Sequence, residues 1–208
     1  MPVADFPLGP LQTNSYLIHN AAQAVAVDVG GDPAPMLEYL AAHSLTLTDI
    51  CITHRHFDHV YGAAALAGAT GAPVYVPSGD DCLASTESGQ GGIWGFPLVP
   101  PFPSQPMPAG RTTFGGMNCE VLSTPGHTPG GVSLYFPDER LVFTGDALFY
   151  RSLGRTDFPG GDHATLLRAV TTVLFALPED TTAYPGHGPS TTIGDEKRNN
   201  PFCGEFRA

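Results

Sequence analysis

The sequence predicts a layered α/β domain, and three features carry that expectation. Short apolar or alternating segments recur in both halves of the chain, bounded by glycine, proline or asparagine, as strands are. Stretches with apolar residues three and four apart lie between them, as helices crossing over a sheet do. The composition agrees: 42% of residues are hydrophobic and 14% charged, with 25 glycines and 21 prolines, which suits a sizeable core joined by many turns and excludes disorder. With 208 residues, no internal repeat and no linker-like stretch, a single domain over 1–208 is expected.

Residues 11–19 and 23–29 read as two strands around a turn at 20–22. Residues 33–43 read as a helix, with Pro35 accommodated in its first turn. The run through Ile50, Cys51 and Ile52 marks a buried strand over 45–53, followed by a small-residue helix over 60–66 and a short strand over 73–76. The pattern dissolves between 85 and 111. Six prolines fall within 97–108, and two readings remain open there: a stiff connector, or a lid in which Trp94, Phe96 and Phe102 offer apolar contacts to a ligand. Strands are predicted over 117–122, 131–136 and 141–144. Asp162 caps a helix over 163–177, a final strand covers 181–184, and a short helix occupies 194–199.

The net charge is −11 and Lys197 is the only lysine, so the surface repels phosphate backbones and a nucleic-acid partner is not expected. No stretch approaches the roughly 20 apolar residues that span a bilayer, and no basic segment followed by an apolar run opens the chain. The four cysteines are scattered without a C-x-x-C pair, as in a reduced compartment. A cytoplasmic protein, monomer or homodimer, is the expectation.

The strongest chemical signal is Thr53-His54-Arg55-His56-Phe57-Asp58-His59, directly after the apolar strand. A shuffled chain of this composition contains H-x-H-x-D-H roughly once in a thousand trials, so the cluster is specific. In extended backbone His54 and His56 project to one side, while Asp58 and His59 turn off at the start of the next helix. Buried imidazoles crowd at a cost that a divalent cation removes, and imidazole with carboxylate suits zinc, iron or manganese. His127, Asp146 and His187 each sit at a strand end followed by a glycine-rich turn, where sites collect in α/β sheets.

These motifs, with Asn14-Ser15-Tyr16-Leu17 and Val27-Asp28-Val29-Gly30 near the start, resemble the metallo-β-lactamase superfamily over nearly the whole chain. The resemblance implies a four-layer αββα sandwich and two divalent metal ions, zinc in the first place, with iron or manganese as alternatives. Carried over by position, His54, His56 and His127 match the ligands of one metal. Asp58, His59 and His187 match those of the other, and Asp146 matches the carboxylate that bridges both.

The segments Gly154-Arg155-Thr156-Asp157-Phe158-Pro159-Gly160-Gly161-Asp162 and Pro185-Gly186-His187-Gly188-Pro189 are similar to short hydrolases related to hydroxyacylglutathione hydrolase, the type II glyoxalase. Longer members of that group add a helical C-terminal domain, which is not expected here. The resemblance thus implies hydrolysis of a small-molecule thioester such as S-lactoylglutathione, with Asp58 orienting the attacking water and taking its proton. The Gly-Arg-Thr-Asp-Phe segment also resembles persulfide dioxygenases, which use one iron. A non-catalytic, metal-stabilised module is a third reading, but it would be expected to lose ligands, and none of the seven positions is lost.

Arg155, Trp94 and Lys197 are candidate substrate contacts, and Asp28 and Asp157 are candidate braces behind the ligands. Arg155 could serve as a brace too. Lys197 and Arg198 fit an exposed helix end equally well. His19, His43 and His163 read as surface or partly satisfied histidines, and Cys51 as a small apolar residue.

Overall fold

The computed structural model describes residues 1–93 and 95–204, in which the chain divides into two units: 1–108 with 113–117, and 109–112 with the residues from 118 onward. Among the described residues, the first unit is built on six strands: β1 (Val3–Leu8), β2 (Thr13–His19), β3 (Gln23–Val27), β4 (Thr46–Cys51), β5 (Val74–Val76) and β6 (Gln105–Pro106). They lie side by side in chain order. The first three pair antiparallel through tight turns, and β3 to β6 run parallel. Parallel neighbours need crossover connections, and these supply the helices. Helix α1 (Ala34–Ala42) links β3 to β4, while α2 (Phe57–Val60) and α3 (Ala63–Thr70) link β4 to β5. Helix α4 (Glu87–Gln90) precedes β6. Leu17, Ala26, Ile50 and Ile52 of the sheet pack with Met36 and Leu40 of α1 and Leu66 of α3 into one buried core.

Two sequence expectations change in this unit, and a segment left open between two readings gains defined contacts. Strand β1 was hidden by Asp5 and Pro7, yet it pairs from Val3 with Ile18 to Leu8 with Thr13, and an edge position tolerates its proline. The single helix expected over 60–66 is two helices broken at Tyr61 and Gly62. The break lets the Gly62 N–H reach the Val29 carbonyl at 2.9 Å, and a Cβ on Gly62 would stand only 2.0 Å from the Gly31 carbonyl oxygen. The proline-rich segment, read as a stiff connector or a lid, makes contacts within this unit. The Tyr61 hydroxyl donates to the Pro97 carbonyl at 2.9 Å, Phe102 packs on the core, and β6 extends the sheet.

A second sheet, all of it but residues 113, 114 and 117 assigned to the second unit, consists of β7 (Gly110–Phe114), β8 (Met117–Ser123), β9 (Val132–Phe136), β10 (Leu141–Gly145), β13 (Thr182–Pro185) and β14 (Thr191–Thr192), in the order β14-β13-β10-β9-β8-β7. A small hairpin of β11 (Leu148–Phe149) and β12 (Ser152–Leu153) follows β10. Helix α5 (His163–Thr172) crosses from β10 to its parallel neighbour β13, and α6 (Ile193–Asn199) follows β14. Leu166 and Val170 of α5 bury against Val142, Ala183 and Ile193.

Asp162 caps α5 as expected, its carboxylate accepting the Thr165 N–H at 2.7 Å. The helix stops at Thr172, short of the expected 177, and the chain tightens into a 3-10 turn at Leu174–Ala176. Thr171 and Thr172 turn their hydroxyls back onto the Leu167 and Arg168 carbonyls, and the β-branched run through Val173 weakens the last turn. The strand expected last is followed by β14, which is too short to show in the pattern.

One polar network ties α6 to the hairpin. The buried Glu196 carboxylate accepts from Thr191 Oγ1, Asn200 Nδ2, the Arg151 N–H and the Arg151 guanidinium, all within 2.9 Å. Arg151 sits at φ +56° to make the two contacts at once. Asp162→Ala is expected to cost about 1 kcal/mol, read in urea unfolding. Glu196→Ala leaves the Arg151 charge with Asp195 alone, and should cost more, about 3 kcal/mol. Equal effects of the two changes would contradict the network's importance.

Candidate metal centre

Strand β4 delivers the ligand motif of the first unit. The chain leaves the sheet after Ile52, and Asp28, just past β3, receives it. Its carboxylate accepts the Thr53 N–H and the Thr53 hydroxyl, both at 2.8 Å. The same carboxylate lies 2.8 Å from His59 Nδ1. Asp28 holds this position at φ +56°, a backbone conformation costly for a residue with a Cβ. His54, His56, Asp58 and His59 are all buried. The His54 ring meets His56 edge-on at 4.8 Å and lies 4.0 Å from His59, centre to centre. One ligand atom each from His54 and His56, and from Asp58 and His59, lies within 4.8 Å of the other.

Hydrogen bonding fixes which ring nitrogen carries the proton. A carboxylate can only accept, so His59 donates from Nδ1 to Asp28. The Thr53 hydroxyl spends its hydrogen on Asp28, so toward His54 Nδ1, 3.1 Å away, it accepts. Both rings therefore keep the lone pair at Nε2 when neutral. His59 Nε2 then faces Asp58 Oδ2 at 3.6 Å, an acceptor against an acceptor. The Thr13 hydroxyl, donating to the same oxygen at 2.8 Å, holds that carboxylate in place. Burial, with the Asp58 charge adding to it, pushes the nearby Tyr61 phenol above its usual pKa.

The second unit repeats the arrangement with other parts. His127 follows β8, in a turn that Gly126 seats against α5, where a Cβ would lie 2.2 Å from the Leu166 nitrogen. Its Nδ1 lies 2.7 Å from the Arg155 carbonyl, which only accepts, so Nε2 again keeps the lone pair. That nitrogen faces Asp146 Oδ2 at 3.5 Å. Asp146 and His187 leave the same ends of the adjacent parallel strands β10 and β13, and His187 Nε2 lies 3.7 Å from Asp146 Oδ2. The Phe149 ring meets His187 at 6.2 Å, nearly perpendicular to it.

This donor set fits divalent metal ions. Lone pairs on Nε2 of His59 and His127 facing carboxylate oxygens at 3.6 and 3.5 Å repel those oxygens until a cation or a proton lies between. Behind the rings of His59, His54 and His127, a carboxylate, a hydroxyl and a carbonyl respectively set the tautomer, the support that metal-ligating histidines ordinarily have.

The remaining candidates make the following contacts. Arg155 pairs with Asp157 through two bonds of 2.7 and 2.8 Å and lies over the Phe158 ring. The Arg155 hydrogen bond holds the exposed Asp157 carboxyl at a pKa of about 2. What Arg155 offers His127 is its backbone carbonyl. Lys197 and Arg198 lie 3.9 and 2.8 Å from Glu179. Trp94 lies outside the described residues, and Phe96 packs 5.4 Å from Phe57.

Sequence reasoning missed two contributors. Asp80, fully buried, accepts the Arg55 N–H at 2.9 Å and so grips the motif from behind. Thr13 opens β2 and reaches Asp58. A Ser-Gly-Asp-Asp turn and a strand-opening threonine carry no signal that sets them apart. Asp28→Ala should weaken zinc binding by about 10- to 100-fold, measured by competition with a chromophoric chelator, while circular dichroism stays unchanged. Undiminished affinity would reduce Asp28 to a structural residue.

The family model described as the metallo-beta-lactamase superfamily matches residues 8–187. The chain is 34% identical over 207 residues to a hydroxyacylglutathione hydrolase, GloC, of Haemophilus influenzae, covering 97% of this chain and 98% of that one. Among solved structures, it is similar to the BLEG-1 B3 metallo-β-lactamase, with a TM-score of 0.91 and 38% identity over 97% of this chain and 99% of that one. It is similar also to TTHA1623 in a di-iron-bound form, with a TM-score of 0.85 and 41% identity over 94% and 97% of the two chains. The chain belongs to the metallo-β-lactamase superfamily and has its fold.

Proposed function

We propose that this protein is a metal-dependent hydrolase of thioesters, with a 2-hydroxyacylglutathione such as S-lactoylglutathione as substrate. The observation that carries the reading is the end-to-end likeness to a hydroxyacylglutathione hydrolase, joined to a buried set of histidines whose Nε2 atoms are prepared as ligands. In this reading, as the resemblance implies, His54, His56, Asp58, His59, His127, Asp146 and His187 would hold the ions. Zinc suits imidazole with carboxylate and tolerates a leaving sulfur. The di-iron form of TTHA1623 supports iron as an alternative occupant.

Divalent ions held there would supply Lewis acidity and bring the pKa of a water from about 15.7 toward 7. Asp58, fixed by Thr13, orients that water and takes its proton as the oxygen attacks the acyl carbon. The carbon–sulfur bond breaks, and the products are a 2-hydroxy acid and a thiol. Asp28 keeps His59 in one tautomer throughout, and the Arg155 carbonyl does the same for His127. A single small domain in the cytoplasm, monomer or homodimer, with no nucleic-acid or membrane partner, completes the proposal.

Element analysis of protein purified without added metal should give two ions per chain, and His187→Ala should lose one of them with most of the activity. One ion per chain, with His187→Ala unchanged in occupancy and activity, would remove the two-metal reading.

The second reading, a persulfide dioxygenase with a single iron, is favoured by the resemblance of Gly154-Arg155-Thr156-Asp157-Phe158. Oxygen separates the two. Thiol release from S-lactoylglutathione should persist under anaerobic conditions. Oxygen uptake on glutathione persulfide without thioester cleavage would overturn the hydrolase, as would turnover of a β-lactam with the thioester untouched.

A further inference from the structure

Arg55 stands between His54 and His56 and takes no part in holding their rings. Asp80 fixes its backbone N–H, and the rings of His54 and His56 meet on the opposite side. The side chain instead lines a cavity of about 310 Å³ within the first unit, together with Val60, Gln90, Val99 and Phe102. None of the proposed metal ligands lines that cavity.

Arg55 differs from the basic residues that are paired with a carboxylate, and from Arg111 and Arg168, which are exposed. In a chain of net charge −11, Arg140, Arg151, Arg155, Lys197 and Arg198 each lie against a carboxylate. Arg55 is partly buried, and among the described residues it has no ion-pair partner. Its guanidinium has the Phe102 ring 5.7 Å away. A guanidinium withdrawn from water without a counter-charge is costly, and a ligand that brings the charge removes the cost. Pro100 and Pro101 stiffen the facing wall, so little ordering is lost on binding.

We propose that this cavity binds a small carboxylate-bearing molecule with an apolar body. The carboxylate takes two hydrogen bonds from the Arg55 guanidinium, and the body lies against Phe102, Val99 and Val60. A phosphate fits less well, because its second charge would meet valine, proline and phenylalanine. The role requires neither the metal ions nor thioester hydrolysis.

The test is an amide-proton NMR titration of the metal-loaded, ¹⁵N-labelled protein with benzoate and, separately, with inorganic phosphate. Benzoate should give saturable shifts at Ala84, Gly89, Gln90 and Val99. Affinity should fall at least about tenfold in Arg55→Gln, with Arg55→Lys, which keeps the charge but not the two-pronged contact, in between. Four results would overturn the site: no saturable shift, shifts confined to the residues around His127 and His187, unchanged affinity in Arg55→Gln, or phosphate binding more tightly than benzoate.

Discussion

The Asp28 carboxylate is the constraint on which the ligand motif of the first unit depends. It lies just past β3, the neighbour of β4, and there it takes three hydrogen bonds in a dry environment. Two of them catch Thr53 as the chain leaves β4, which sets where His54 and His56 start. The third reaches across the motif to His59, so that one side chain fixes both ends of a seven-residue stretch. The left-handed backbone at Asp28 costs about 1–3 kcal/mol, and three bonds to a charged acceptor outweigh that, at about 1.5–3 kcal/mol each. Asparagine would tolerate the backbone but offers one acceptor oxygen where Asp28 uses two.

The second unit reaches the same end by another route. Behind His127 stands a main-chain carbonyl, placed by a loop that runs close to Asp146, since a Cβ on Gly154 would lie 1.8 Å from the Asp146 carbonyl oxygen. Glycine at 154 is thus a requirement of close approach. The Arg155–Asp157 pair and the Arg155–Phe158 stacking stiffen the same loop from its exposed side. In both units, orientation of a ring comes from atoms that never touch the ligand position.

Much of this was legible in the sequence because the responsible patterns are local. The apolar run before Thr53 and the cap at Asp162 announce their elements without help from distant residues. So does the dense histidine motif, whose members the structure sets within contact of one another. What failed to show was tertiary. Strand β1 exists because β2 offers it an edge, and the break between α2 and α3 exists because Gly62 must meet the loop of Val29 to Gly31. Asp80 looks like any turn aspartate until the fold carries it to the Arg55 amide. The candidate substrate contacts read from charge alone, Arg155 and Lys197, turn out to be engaged by nearby carboxylates.

That engagement has a consequence for recognition. An acidic protein that binds an anionic substrate needs positive charge at the point of reaction, and here most of the described basic side chains are neutralised locally by aspartate or glutamate. Freeing Arg155 or Lys197 for a glutathione carboxylate would mean breaking a surface pair, worth about 0–1 kcal/mol, so those contacts remain cheap to recruit but weak. Metal ions are different. Held in a buried set of imidazoles and carboxylates, their charge is neither screened nor mobile, and it can exceed every other local field. Under the proposed thioester hydrolysis, recognition built this way would be strong at the reacting carbonyl and loose toward the rest of the molecule. It would favour a protein selective for the bond it breaks more than for the carrier attached to it.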